Sequence, residues 1–188
     1  MRRLLIVVVM LFAFYCYGQK PNAVKPKGDV DSMLLHLQER NNKAIGKSLP
    51  LFSAVYQNKN FTNKNLAGKI VFINFWFASC VPCMVEMDAL NELYDSLKHH
   101  TNFEFISFTY ENQAKINEVI KKYHIQYKVV SIKQEECYKL NQYNAFPTSM
   151  IIDAKGIIKF ISTPGFEIKS SIREMVFTEY YPKIVKEL

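Results

Sequence analysis

The chain has 188 residues, 49% of them hydrophobic and 14% aromatic, with 24 Lys and Arg against 17 Asp and Glu for a formal net charge of +7. That length supports one domain with a full hydrophobic core plus a short extra segment, and no internal repeat or low-complexity tract interrupts it. The positive charge is spread over many lysines with no basic cluster interleaved with aromatics, which excludes a nucleic-acid-binding protein and leaves a solvated surface.

The extra segment is at the front. Met1-Arg2-Arg3 is a basic start, residues 4–15 are an apolar run, and Cys16-Tyr17-Gly18 puts small residues where a signal peptidase reads them. Residues 1–18 are therefore expected to be a secretory signal peptide, with Gln19 as the new N-terminus. A membrane anchor competes with this, but the run is well short of the ~20 residues of a spanning helix. A lipoprotein at Cys16 is disfavoured by the bulky Phe14 and Tyr15 before it. Cleavage removes Arg2, Arg3 and Cys16, leaving 22 basic against 17 acidic residues, a net charge of +5, and three cysteines. The location expected is periplasmic or otherwise extracytoplasmic.

Residues 19–45 form a lead-in. Its first part, with Pro21, Pro26 and Gly28, is polar and aperiodic; Met33, Leu34, Leu35 and Leu37 fit either a short helix or an edge strand. The domain proper is expected over 46–188. Residues 51–57 and a short run near Phe61, divided by Asn58-Lys59-Asn60, read as a hairpin. Residues 70–77 are an almost unbroken β-branched and aromatic strand, and from Cys83 onward Val85, Leu90, Leu93, Tyr94 and Leu97 recur at helical spacing. A strand at 103–110, a helix at 115–124 with Ile116, Val119, Ile120 and Tyr123 on one face, and a short strand at 129–132 follow. Alternation of strand and helix implies parallel pairing. Cys137, beside Tyr138 and Leu140 in a short helix, reads as a buried small hydrophobe rather than a resolving thiol. Residues 149–153 and 157–163, joined by Ala154-Lys155-Gly156, make an antiparallel hairpin, and 168–188 a closing helix that Pro182 kinks or stops.

The chemistry lies at the junction Phe75-Trp76-Phe77-Ala78-Ser79-Cys80-Val81-Pro82-Cys83. Two cysteines two residues apart at a helix start can close a disulfide. The free amides and dipole of that helix end favour a thiolate, so Cys80 is expected to be the exposed, acidified sulfur. Pro82 suits the first turn. A zinc site needs further ligands, and no second Cys or His pair stands at metal spacing, so neither metal nor cofactor is expected. Glu86, three residues after Cys83, falls on its face of the helix among Leu90 and Leu97. Burial there would raise the carboxyl towards a thiol's range and let it take the proton of Cys83. An exposed first-turn glutamate is the alternative. Trp76 is expected among the substrate-binding residues, shielding the site, with a core aromatic as the alternative.

These residues resemble the thioredoxin superfamily and, within it, the TlpA/ResA-like extracytoplasmic thiol-disulfide oxidoreductases. The resemblance is carried by residues 72–83 with Glu86-Met87, by Gly46-Lys47-Ser48-Leu49-Pro50-Leu51-Phe52 and Leu66-Ala67-Gly68-Lys69 upstream, and by Phe146-Pro147-Thr148 before Ile151-Ile152-Asp153 and Gly156 downstream. It implies a thioredoxin-like α/β fold, a mixed central sheet flanked by helices with an N-terminal β-hairpin extension. It implies Cys80 and Cys83 as a redox disulfide, a glutamate at position 86, and a cis Pro147 lying against the disulfide so that the backbone of Phe146 pairs with an extended partner segment. Asn74 stands where ordinary thioredoxins carry a buried acid, and Asp88 where the family often has a helix-kinking proline. The activity implied is disulfide exchange with exported proteins, as a monomeric reductase fed by a membrane electron donor, as in cytochrome c maturation. A peroxide-reducing relative and a binding module without turnover are the alternatives; the first uses a lone low-pKa cysteine, and the retained pair argues against both.

Overall fold

The computed structural model describes residues 29–162 and 172–188. The expected signal peptide, Cys16 included, and residues 19–28 lie outside the described residues. Helix α1 (Asp29–Ala44) decides between the two readings of the leucine-rich stretch. Its buried positions are Leu37, Asn41 and Ala44, spaced four and three apart as one stripe of a helix requires. From Leu34 onward the chain forms one compact unit.

β1 (Ser53–Tyr56) and β2 (Lys59–Thr62) pair antiparallel as a separate two-stranded sheet. Their turn is Gln57-Asn58, with φ of 50° and 60°, the left-handed pair that matches the twist of a two-residue hairpin. Lys59 and Asn60 are thus strand residues rather than turn, and Leu51 lies exposed ahead of the strand.

The central sheet has the order β5-β4-β3-β6-β7. β3 (Ile70–Phe75) is its middle strand, parallel to β4 (Phe103–Thr109) and antiparallel to β6 (Thr148–Ile152). β5 (Lys128–Ser131) pairs parallel with β4, and β7 (Ile158–Ser162) antiparallel with β6. Every residue of β3 is buried because both faces of the sheet are covered. Ile70, Phe72 and Trp76 meet helices α2 (Val81–Leu97) and α3 (Gln113–Tyr123) and the C-terminal helices. Val71, Ile73 and Phe75 meet the hairpin and α4 (Gln134–Leu140). The outer edge of β7 is closed by the segment after α1: Gly46 N–H donates to the Ile158 carbonyl at 2.8 Å and Ile158 N–H to the Lys47 carbonyl at 2.9 Å. Gly46, at φ 85°, makes the turn that brings the chain there.

Helix α2 carries its core stripe on Met87, Leu90, Leu93 and Leu97, all without exposed surface. Val85, expected on that stripe, is 58% exposed. The helix starts at Val81, two residues earlier than the apolar spacing suggested, and its core-facing stripe passes through Cys83 and Glu86 instead. It runs unbroken past Asp88. At the C-terminus, α5 (Ile172–Met175), a π-helical turn (Val176–Tyr180) and α6 (Tyr181–Glu187) follow in succession. Pro182 sits in the first turn of α6, directly after the π-helical turn, so the closing helix changes its winding just before the proline.

Candidate active site

Between β3 and α2 the chain stays tied to the sheet. Trp76 N–H donates to the Phe108 carbonyl at 3.2 Å, Cys80 N–H closes a turn onto the Phe77 carbonyl at 3.0 Å, and Ala78 N–H donates to Glu111 Oε1 at 2.7 Å. Glu111, just beyond the end of β4, is held by Ser131 Oγ, which donates to its carbonyl at 2.7 Å. Nothing in the periodicity pointed to Glu111. Its position did carry a signal: it follows the carboxyl end of the strand beside β3, where open α/β sheets assemble their sites.

Cys80 is the N-cap of α2 and forms a disulfide with Cys83 across Cα atoms 5.3 Å apart. Cys83 N–H donates to Cys80 Sγ at 3.3 Å, and the first turn holds Pro82 and no acidic side chain. Amides and dipole therefore act on the Cys80 sulfur with no acidic side chain in that turn, which favours its thiolate. Exposure departs from expectation: Cys80 is only 5% exposed, against 1% for Cys83. The disulfide draws the outer sulfur towards the buried inner one, and Phe77, Ala78 and Phe146 pack on the same cluster.

Glu86 is 5% exposed, one turn beyond Cys83, and its Oε2 has no hydrogen-bond partner among the described residues. Burial pushes its carboxyl up to about 8, so the exposed-glutamate alternative does not hold. Two buried phenols feel its charge: burial first, and Glu86 second, raise both Tyr127 and Tyr180. Tyr127 Oη donates to Met87 Sδ at 3.2 Å and Tyr180 Oη to Ser162 Oγ at 3.1 Å. Asn74, on the same face of β3, donates to Ser149 Oγ at 3.3 Å and accepts from Ser107 Oγ at 3.5 Å. Its neutral amide is satisfied within the sheet and adds no charge beside Glu86.

The Phe146–Pro147 peptide bond is cis. The half-buried Phe146 ring meets Phe77 edge-on at 5.3 Å, so the loop that carries the proline touches the loop that carries the cysteines. Tyr110 and Tyr138 complete a cluster with it, at 6.1 and 5.6 Å from Phe146. Neither tyrosine was marked by the sequence pattern, because residues from three separate segments meet only on folding.

Residues 45–161 match the model of the AhpC/TSA family. The chain belongs to that family. Among curated AhpC/TSA-like relatives, it is 32% identical to the thiol-disulfide oxidoreductase ResA of Bacillus cereus over 151 residues, 79% of this chain and 83% of the relative. It is 30% identical to the thiol:disulfide interchange protein DsbE of Pseudomonas fluorescens over 126 residues, 64% of this chain and 67% of that one. In fold it is similar to the thioredoxin domain of a Bacteroides vulgatus thiol-disulfide oxidoreductase, with a TM-score of 0.62 at 18% identity, over 76% of this chain and 96% of that domain. This AhpC/TSA-family member has a thioredoxin-like fold and is a thiol-disulfide oxidoreductase.

Two residues stand apart from the surface of the site. Cys137 is a free, fully buried thiol in the cluster on the opposite face of the sheet from the disulfide, and burial pushes it up to about 12. Trp76 has no exposed surface and shares its cluster with both redox cysteines. In the oxidised protein it is a core aromatic, and direct contact with a substrate is not open to it. As the only tryptophan, it reports the redox state: reduction is expected to raise its emission by removing a quenching disulfide. Superimposable spectra of the two forms would place the indole outside the disulfide's reach.

Proposed function

We propose that the protein reduces disulfides of exported proteins, with Cys80 attacking, Cys83 resolving, Glu86 acting as the base, and Phe146 and Pro147 receiving an extended partner segment. The Cys80 thiolate attacks a partner disulfide; one partner thiolate leaves, takes a proton from solvent, and the other partner sulfur stays bonded to Cys80. Cys83 then gives its proton to the Glu86 carboxylate and attacks Cys80 Sγ. The second partner thiolate leaves and the Cys80–Cys83 disulfide forms. The second partner thiolate takes the proton now on Glu86, so the partner gains two electrons and two protons; two electrons from a membrane donor, with the proton of Cys83 drawn from solvent, restore the dithiol.

The observation that carries this reading is the buried carboxyl one turn beyond Cys83, pushed up to about 8. A base matched to a thiol speeds the step that releases a reduced partner; the net direction is set by the reduction potential of the pair. Residues 1–18 as a signal peptide, 19–45 as a lead-in and 46–188 as a monomeric domain complete the proposal with an extracytoplasmic location. No helix among the described residues is long and apolar enough to cross a membrane.

Equilibration with glutathione, read on Trp76 emission, tests the direction. A potential more negative than about −220 mV is expected, and one near about −120 mV would make the protein an oxidant. In the reduced protein, iodoacetamide alkylation against pH is expected to place Cys80 below the ordinary thiol value of ~8.5 and Cys83 above it. A Cys80 value at or above that of a free thiol would remove it as the attacking group. Turnover of hydrogen peroxide without reduction of insulin would favour the peroxide-reducing alternative.

A further inference from the structure

The segment between α4 and β6 carries Phe146 and Pro147, and two residues just before them, Gln142 and Tyr143, both have φ of 56°. Residues with a β-carbon avoid this left-handed region unless something holds them there, and neither of these is the Asn or Asp that tolerates it best. Tyr143 is 63% exposed, so its own packing contributes little. The cap of α4 supplies part of what holds the pair, with Gln142 N–H donating to the Lys139 carbonyl at 3.1 Å and Tyr143 N–H to the Tyr138 carbonyl at 2.8 Å; the rest comes from α1. Arg40 Nη1 donates to the Tyr143 carbonyl and, at 3.4 Å, to the Gln142 carbonyl. The adjacent Asn41, buried, accepts at Oδ1 from Asn144 Nδ2 at 2.8 Å. Within the loop, Asn144 Nδ2 donates to the Asn141 carbonyl at 3.1 Å and Asn141 Nδ2 to the Asn144 carbonyl at 3.0 Å. Every residue from 141 to 144 thus takes part in one hydrogen-bonded clamp, and the chain leaves it only two residues before Phe146.

We propose that Arg40 and Asn41 are positioning residues for protein substrates: together with the cap of α4 they hold the left-handed turn at Gln142 and Tyr143 and thereby set where Phe146 and Pro147 meet a partner. The inference rests on the reading of Phe146 and Pro147 as the element that receives the partner. A charged guanidinium on two carbonyls is a strong, oriented restraint. Loss of Asn41 would leave a buried amide donor of Asn144 without one of its acceptors. None of these bonds involves the disulfide or Glu86, so the chemistry of the cysteines does not depend on them.

The test compares insulin with hydroxyethyl disulfide, which is too small to span the loop, under dithiothreitol as reductant. Arg40→Ala is expected to raise KM for insulin about fivefold to tenfold while kcat changes by less than about twofold. The rate with hydroxyethyl disulfide and the reduction potential should stay at wild-type values. Adding Gln142→Gly, which takes the left-handed conformation without steric cost, should recover at least about half of the lost affinity. Arg40→Lys keeps one charged donor, should give an intermediate KM, and carries the test if the alanine variant does not fold. An unchanged KM for insulin, an equal loss with both disulfides, or no recovery with Gln142→Gly would each overturn the proposal. Phe146→Ala separates the two levels. If it leaves KM for insulin unchanged, the reading of Phe146 fails and this inference with it; if it raises KM while the Arg40 variants do not, only the inference fails.

Discussion

Cys83→Ser is expected to convert a catalyst into a trap. The reduced variant keeps Cys80 at the helix N-cap, where the amide of residue 83 and the helix dipole favour its thiolate. It can still attack a partner disulfide, but no second thiol remains to break the bond it makes. Turnover with insulin should fall by about three orders of magnitude, and mixed disulfides with exported proteins should accumulate on non-reducing gels. Cys80→Ser should lose the same turnover and accumulate few, because Cys83 is the inner, 1% exposed sulfur and a partner cannot line up with it. Cys137→Ser should leave trapping unchanged, since that thiol lies on the other face of the sheet. Mass spectrometry of the trapped bands would name the substrates. Equal trapping by both motif variants, or none by Cys83→Ser where the wild type turns over, would reverse or remove the assigned roles.

Glu86→Gln is expected to show two separable effects. In the reduced protein it removes the base, so resolution of the mixed disulfide should slow by about tenfold to a hundredfold while the initial attack of Cys80 is little changed. The wild-type resolving rate should rise with pH through about 8, as the carboxyl ionises and becomes able to accept a proton, and the variant should lack that rise. In the oxidised protein, where neither motif cysteine titrates, the effect is on stability. The folded carboxyl is raised from 4.5 to about 8, so between those values the native state holds a proton that the unfolded state releases. Wild-type stability therefore falls as pH rises from about 4.5 to about 8 and levels off above it. The variant, lacking the buried charge, should match the wild type at acid pH and exceed it above pH 8, by up to about 5 kcal/mol. Thermal denaturation of both oxidised proteins across this range is the measurement; parallel curves would show that Glu86 is not held neutral by burial.

What the sequence by itself determined is what depends on neighbours along the chain. The redox pair was legible because strand, turn and helix start are consecutive, and a Pro in the first turn with cysteines two residues apart means the same thing in any surroundings. Glu86 was legible for the same reason: three residues along a helix fixes its face relative to Cys83. The hairpin of β6 and β7 and the parallel pairing of β3, β4 and β5 likewise follow from alternation and short connections. Tertiary structure decided the rest. Whether the leucine-rich stretch was helix or strand depended on what it covers, and α1 buries Leu37, Asn41 and Ala44 at helical spacing. The low exposure of Cys80 comes from a disulfide directed inward and from Phe77 and Phe146 packing on the same cluster, the latter brought from the far end of the fold. Trp76 fitted both shield and core until its strand was seen to be covered on both faces. Glu111 reaches Ala78 from just beyond the end of β4, and Arg40 reaches Tyr143 from a helix 103 residues earlier. Local pattern fixes which way a side chain points from its own backbone; whether it then finds solvent, an apolar wall or a distant carbonyl is set by contacts between segments that no periodicity encodes.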